Sequence, residues 1–124
     1  MQLKRHQTMK RASEFAMVRA QGSSAAGRFL VLSTLPYSGE GAGAKSSRFG
    51  IITTKRLGHA VVRNLLRRRI REILRAHGEP LQSGHYVVLI PRHTASTAAY
   101  HELEKDFCRL LKRKHFTNST NHGC

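Results

Sequence analysis

The pattern of apolar and polar positions divides the chain into six predicted elements. Apolar residues recur at helical spacing over 10–20, from 59 or 60 to 76, and over 98–114. Short runs of apolar and β-branched residues predict strands over 28–35, 48–54 and 85–90. A stretch rich in Gly, Ser and Ala predicts a flexible loop over 36–47, and 116–124 has the weak propensity of a disordered tail. The order is therefore helix, strand, strand, helix, strand, helix in a single domain over 1–115.

The predicted middle helix has one apolar face and one cationic face when it is projected at about 100° per residue. The apolar arc holds Val62, Leu66, Ile70 and Ile73, and the opposite arc holds Asn64, Arg67, Arg68, Arg71 and Arg75. Glu72 is the only acid on this segment. Like charges at i and i+4 repel, and a phosphate backbone removes that repulsion. Solvated helix faces usually mix both signs, so this face indicates contact with nucleic acid.

Composition supports a polyanionic partner. The 124 residues include 22 Lys and Arg against 7 Asp and Glu, which gives a formal net charge of +15. The two cysteines, Cys108 and Cys124, are far apart and form no CxxC pair, a pattern that suits a reducing cytoplasm. The N-terminus has no apolar stretch of signal-peptide length, and the longest apolar run, 86–90, is too short to span a bilayer. We therefore expect a cytoplasmic protein without a membrane partner.

Other motifs do not predict chemistry in the protein itself. The stretch 39–46 resembles a phosphate-binding loop but lacks its last glycine and precedes a predicted strand instead of a helix. The histidines are scattered without ligand spacing and are expected on the surface. The acids of the last helix are expected to pair along that helix: Glu102, Glu104 and Asp106 with Lys105 and Arg109. We predict no catalytic residue, no protein-bound metal and no small-molecule substrate.

The stretch 49–72, FGIITTKRLGHAVVRNLLRRRIRE, resembles the signature of the bacterial ribonuclease P protein subunit. That signature is a strand, a basic turn and a helix that opens with Arg-Asn-Arg. The order of elements matches along almost the whole chain, including Arg92 as the basic residue after the last strand. The resemblance implies an α+β fold with a small mixed sheet and a left-handed strand–helix–strand connection. It also implies that the first and last helices share one face of the sheet and the arginine helix covers the other.

The resemblance implies a function as well. In this family a catalytic RNA uses bound Mg²⁺ to hydrolyse the phosphodiester bond at the 5′ end of precursor tRNA. The protein subunit assembles with ribonuclease P RNA and holds the single-stranded 5′ leader of the precursor in a cleft between the first helix and the sheet. Mg²⁺ is thus expected on the RNA and the substrate, and none on the protein alone.

Site residues carry over position by position. The residues expected to face the catalytic RNA are Arg63, Asn64, Arg67, Arg68 and Arg71. The residues expected in the leader cleft are Phe15, Arg19, Val31, Lys55 and Arg56. Ordinary core packing is the alternative for Phe15 and for Val31.

Three positions depart from the family pattern. Leu65 stands third in the Arg-Asn-Arg triplet, and Arg69 stands where the family usually has an apolar residue. Because these positions are i and i+4, our hypothesis is that Arg69 supplies the missing guanidinium while Leu65 packs. Ser33 stands at a strand position where some relatives carry an aromatic residue, so base stacking there is expected to be weaker.

Two other classes of protein share parts of this pattern. A basic RNA-binding protein of the ribosomal type, without an enzyme role, has the same composition. A helix-turn-helix DNA-binding protein would place the arginine helix in a major groove, but that motif needs a helix where this chain has a predicted strand.

Overall fold

The structure, a computed structural model, describes residues 7–9, 11–37 and 46–116. The helices are α1 (Ala12–Gln21), α2 (Ala60–His77) and α3 (Tyr100–Arg113), and the strands are β1 (Ser23–Ala26), β2 (Leu30–Pro36), β3 (Arg48–Ile51) and β4 (His85–Pro91). Short 3₁₀ turns lie at Lys55–Leu57, Glu79–Leu81 and His93–Thr97. The helices and three of the strands follow the predicted elements, with ends displaced by up to three residues.

The strands form one mixed sheet in the order β1-β2-β4-β3. β2 pairs with β1 and β4 in antiparallel register, and β3 pairs with β4 in parallel register. Leu30 at the start of β2 lies opposite Pro91 at the end of β4. The start of β2 and the ends of β3 and β4 therefore meet at one end of the sheet. α2 connects β3 to β4, and the left hand of this connection stays a prediction.

The predicted grouping of the helices is wrong. The larger core joins one face of the sheet to both α2 and α3: Leu30, Leu32, Val87, Leu89, Leu66, Ile70, Ile73, Leu103, Phe107 and Leu110 are among its buried members. The smaller core places α1 alone on the other face, where Val18 packs with Val88 and Met9. The reason lies in β4, whose consecutive residues Val87, Val88 and Leu89 are at most 1% exposed. Both faces of the sheet are buried, and the two strongly amphipathic helices share one of them.

The strand β1 is an element that the sequence does not predict. Its residues lie between the first predicted helix, 10–20, and the predicted strand 28–35, because SSAA has no alternation of apolar and polar positions. Pairing with β2 creates the strand, and the Ser24 and Ser33 hydroxyls lie 2.6 Å apart across it. Ser33 is thereby buried in the sheet and is 2% exposed.

The other edge of the sheet, at β3, is covered by the segment 7–9. Thr8 forms a parallel bridge with Phe49, and the Met9 N–H donates to the Phe49 carbonyl oxygen at 2.8 Å. The Gln7 side-chain amide donates to the Ser47 carbonyl oxygen at 3.1 Å. These contacts fix the segment 7–9 along the β3 edge.

The acids of α3 bind other parts of the molecule, so the predicted pairs within the helix are wrong. The Asp106 carboxylate, 4% exposed as a residue, accepts the backbone N–H groups of Arg28, Phe29 and Leu30 at 3.0, 2.9 and 2.9 Å. Glu104 lies 2.9 Å from Nε2 of His77, a histidine that is buried and not on the surface as expected. Glu102 accepts the Ala99 N–H at 2.9 Å and caps the helix. In the described part of the chain, none of these acids forms a salt bridge with Lys105 or Arg109.

The residue that follows the predicted domain, Phe116, has contacts with the fold. Phe116, assigned to the tail by the sequence pattern, packs against the larger core, and its ring lies 5.2 Å from the His85 ring between centroids. The other tail residues, 117–124, and most of the predicted loop, 38–45, lie outside the described residues.

Candidate nucleic-acid interface

The exposed side of α2 carries the predicted cationic arc. Asn64, Arg68, Arg71 and Arg75 are exposed, and Arg67 is half-buried beside them. The opposite side of the helix buries Leu66, Ile70, Ile73, Leu74 and His77. Val62, predicted for the apolar arc, is half-buried at the margin of the larger core. The helix is thus anchored by its apolar side and presents its arginines to solvent.

Two of these arginines are oriented by neighbours on the same helix. Arg67 donates to the Asn64 side-chain oxygen at 3.0 Å, and Arg75 pairs with Glu72 at 2.7 Å. Arg63 precedes Arg67 by one turn, and its buried Nε has no hydrogen-bond partner within the described residues. A guanidinium offers several donors in a planar fork, which suits bidentate contact with phosphate. The face therefore has the chemistry of an anion-binding surface along one side of the helix.

Arg69 lies on the other flank of α2 and has an internal partner. Its Nη1 donates to the Ala98 carbonyl oxygen at 3.1 Å, which ties α2 to the segment before α3. Both Arg69 and Leu65 are half-buried. The hypothesis that Arg69 supplies the guanidinium missing at Leu65 therefore competes with a structural role.

A second surface lies on the opposite face of the sheet, beside α1. It consists of Phe15, Val31, Ile52 and Ile90, which are all half-buried, and we call it the α1-side surface. The Phe15 ring covers Gly50 so closely that a Cβ atom at Gly50 would overlap it. Val31 lies opposite Ile90 in the β2–β4 register and belongs to neither core. Phe15 packs partly against the smaller core and keeps part of its surface exposed, so its role in the leader cleft stays a prediction.

Cationic residues border the α1-side surface at the sheet end where three strand termini meet. Lys55 and Arg56 are exposed on the turn after β3, and Arg92 follows β4. Arg28 precedes β2, and its guanidinium lies 5.2 Å from the centroid of the Phe29 ring. The Arg92 guanidinium donates to the Gly27 carbonyl oxygen at 2.8 Å. Sequence reasoning missed Arg28, because only the register of the sheet brings it to this end.

Arg19 extends the same surface along α1. It follows Phe15 by four residues, so both lie on one stripe of the helix, and it is exposed. Ser33 contributes no ring and no exposed hydroxyl, because it is buried against Ser24. Phe15 is thus the one aromatic residue among the predicted cleft residues.

The opposite end of the α1-side surface is less cationic. There Glu14, 9% exposed, forms an ion pair with Arg48 at 3.3 Å. The Tyr37 and Tyr86 rings meet edge to face at 4.7 Å between centroids. Burial, the largest cause, raises the pKa of the Tyr37 hydroxyl above its usual value. Charge is therefore distributed unevenly along the surface, and its exposed cations border the strand-end side.

Comparison with known proteins decides between the classes that the sequence left open. The sequence profile of the Ribonuclease P family matches residues 3–115. The chain belongs to the ribonuclease P protein family. It is 38% identical over 103 residues to the ribonuclease P protein component of Desulforamulus reducens, which covers 83% of this chain and 87% of that protein.

Solved structures of ribonuclease P proteins share the fold. The protein from Staphylococcus aureus superposes with a TM-score of 0.77 at 26% identity, covering 90% of this chain and 98% of the other. The protein from Thermotoga maritima gives 0.68 at 27% identity, covering 80% and 89%. The α+β class is confirmed. As a ribonuclease P protein, the chain is a subunit of the RNA-based enzyme for tRNA 5′ maturation, and ribonuclease P RNA is its partner.

The described residues contain neither a candidate metal centre nor a membrane-spanning helix. Over residues 7–9, 11–37 and 46–116, no three His, Cys, Asp or Glu side chains are grouped closely enough to hold a metal ion. Within the same residues, no helix has the length and apolar character needed to cross a membrane.

Proposed function

We propose that this ribonuclease P protein binds the catalytic RNA through α2 and the 5′ leader of precursor tRNA through the α1-side surface. The observation that carries the proposal is the placement of these surfaces on opposite faces of one sheet. A protein with two such surfaces can bind two RNA strands at once. Hydrolysis of the phosphodiester bond, with its Mg²⁺, is then the task of the RNA.

The exposed face of α2 has the chemistry of a phosphate-binding surface. Its contact residues are Arg63, Asn64, Arg67, Arg68 and Arg71. Each phosphate neutralised by a guanidinium releases a counterion, so affinity falls steeply with salt. The cations of the protein also reduce the repulsion between catalytic RNA and substrate, which lowers the Mg²⁺ concentration that the enzyme needs.

The α1-side surface has the chemistry of a single-strand binding site. Unpaired bases need an apolar or aromatic platform, and the phosphates between them need cations. Phe15 and Val31 supply the platform, while Arg19, Lys55 and Arg56 supply the cations. Because the free cations lie at the strand-end side, the leader would run along the surface in a fixed direction.

Reconstitution tests the assembly. The protein is added to a bacterial ribonuclease P RNA at low Mg²⁺, and cleavage of precursor tRNA is measured. We expect the protein to raise the cleavage rate and to shift the Mg²⁺ requirement downwards. An unchanged rate over a range of protein concentrations would reject the proposed function.

A substitution at Phe15 tests the leader site. Phe15→Ala removes the aromatic platform, so it should weaken binding of precursor tRNA to the holoenzyme about tenfold, the size of one base-stacking contact, and leave mature tRNA unaffected. Val18→Ala, three residues along α1 and fully buried, is the matched control. Val18→Ala should lower the stability of the protein, but it should change the affinities for precursor and mature tRNA equally. Equal losses of affinity for precursor and mature tRNA with Phe15→Ala would show that Phe15 contributes only to core packing.

A further inference from the structure

A small cavity lies between α2 and the covered edge of β3. Its volume is about 180 Å³. Met9, Phe49 and Leu74 form its apolar floor, and each is at most 4% exposed. Arg67 and Arg71 line it from α2, and the exposed Thr8 forms its rim. We refer to it as the edge cavity.

Local structure explains why apolar and cationic groups meet here. Arg67, Arg71 and Leu74 stand at i, i+4 and i+7, so they form one stripe on α2. The stripe passes from the exposed face of the helix into the larger core. The bridge between Thr8 and Phe49 holds the opposite wall in place. The result is an apolar pit with two guanidinium groups beside it.

The size and lining of the edge cavity restrict its occupant. It is smaller than the roughly 300 Å³ at which pockets for small-molecule ligands begin, and it has room for about six waters. A single heterocyclic ring fits this space, but a whole nucleotide does not. The floor residues carry no hydrogen-bonding side chain, so a free base would have little to orient it. The two guanidinium groups require negative charge next to the ring.

A base that is part of an RNA strand meets all of these conditions. Proteins read RNA through unstacked bases that lie on apolar or guanidinium surfaces, and each base is flanked by phosphates. A base on a strand already bound to α2 also loses no separate translational freedom. We propose that the edge cavity receives one unstacked base of ribonuclease P RNA, with its flanking phosphates on Arg67 and Arg71. This inference rests on the proposed function, because the RNA must already lie on α2.

The consequence is a fixed register of the RNA on the helix. Contacts to phosphate position a protein on nucleic acid but do not distinguish one base from another. A base seated in a pit of limited size makes that distinction. The edge cavity therefore supplies specificity to a face that is otherwise electrostatic.

Filling the cavity tests the inference. Thr8→Phe places a ring at the rim without altering any arginine, and Thr97→Phe makes the same change at an exposed position in the 3₁₀ turn His93–Thr97. We expect Thr8→Phe to weaken binding to ribonuclease P RNA about tenfold, while the slope of log affinity against log salt concentration stays unchanged. Thr97→Phe should bind like the native protein. Arg71→Ala, by contrast, should reduce the salt slope by about one contact.

Chemical probing of base edges in the RNA gives the second readout. The native protein and Thr97→Phe should protect one unpaired base that Thr8→Phe leaves reactive, while the backbone stays protected in all three complexes. Ile51→Phe fills the same cavity from β3. If one of the two cavity-filling variants does not fold, the other still tests the inference. Each variant is compared at temperatures where its circular dichroism matches that of the native protein.

Three results would overturn the inference or the function beneath it. Native affinity and native protection with both cavity-filling variants would show that no base enters. Displacement of the protected base by a free nucleoside monophosphate would show a small-molecule site instead. Failure of the native protein to bind the RNA would remove the proposed function itself, whatever the variants do.

Discussion

Helices α2 and α3 lie side by side on the same face of the sheet, and they use their charges in opposite ways. The acids of α3 bind the start of β2, His77 of α2 and the N-terminus of α3 itself, and Asp106, which binds β2, is the most buried of them. Two basic residues at its C-terminal end also bind β1, since Arg113 donates to the Ala26 carbonyl oxygen at 2.7 Å and Lys114 to that of Ser23 at 3.0 Å. On α2, Arg67 and Arg75 bind neighbours on their own helix.

The difference distinguishes charges that stabilise the fold from charges that are available to bind an external partner. A charge with a partner on another element stabilises the tertiary structure, and its removal leaves that partner unsatisfied. A cation without an acidic partner in the protein adds repulsion to a protein of net charge +15 and is neutralised only by an external anion. By this criterion Arg69 is the exception on α2, since it donates to Ala98.

The largest expected effect comes from removing the most buried acid of α3. Asp106→Ala leaves three backbone N–H groups near the start of β2 without an acceptor, so the free energy of unfolding should fall by about 3 kcal/mol or more. Urea unfolding should show this loss of stability as a lower midpoint concentration, while the slope of the unfolding free energy against urea concentration stays unchanged. Arg109→Ala, on the exposed side of α3, should change stability by at most about 0.5 kcal/mol. A native midpoint for Asp106→Ala would break the distinction between the two helices.

An intermediate effect is expected from the exposed charge of α2. Arg68→Ala should reduce the salt slope of RNA binding by about one contact and change the free energy of unfolding by at most about 0.5 kcal/mol. Arg113→Ala removes the same charge from α3, but it should lower stability by about 1 kcal/mol and leave the salt slope unchanged. Titrations of ribonuclease P RNA at several salt concentrations provide the measurement. If both variants alter the slope equally, the RNA does not distinguish the helices.

The smallest effect on RNA binding among the α2 arginines is expected at Arg69. Arg69→Leu loses the hydrogen bond to the Ala98 carbonyl oxygen, so stability should fall by about 1 kcal/mol, and the salt slope of RNA binding should not change. The double variant Leu65→Arg with Arg69→Leu rebuilds the family triplet. It therefore distinguishes a structural role of Arg69 from the hypothesis that Arg69 binds RNA in place of Leu65. Weaker binding in Arg69→Leu, restored in the double variant, would support the exchange of roles between the two positions.

Local patterns in the sequence predict the elements and the two arcs of α2, because periodicity reports directly which side of a helix is buried. The stretch 49–72 is specific enough to indicate the family by its residues alone. The half-buried state of Phe15 also lies between the two roles that the sequence allows. These features depend on residues that are close together along the chain.

Features that depend on distant residues are not predictable in this way. Asp106 accepts from residues 76 to 78 positions away, and nothing in its neighbours along α3 indicates that. β1 exists through pairing with β2, since its small residues carry no strand pattern of their own. Arg28 joins Lys55 and Arg92 only through the order of the strands. The predicted face for α3 is wrong for the same reason, because a helix pattern shows that a stripe is buried but not against which surface.

The short segment 7–9 has a consequence for the protein before it meets its RNA. An open strand edge is a template for pairing with another chain, and such pairing leads to aggregation. Here the β3 edge is capped through the bridge between Thr8 and Phe49, and the opposite edge is a strand of only four residues. Little open strand edge is therefore left on the described sheet for another copy to pair with. A chain trimmed beyond Met9 would lose this protection, and its solubility would depend on mutual charge repulsion alone.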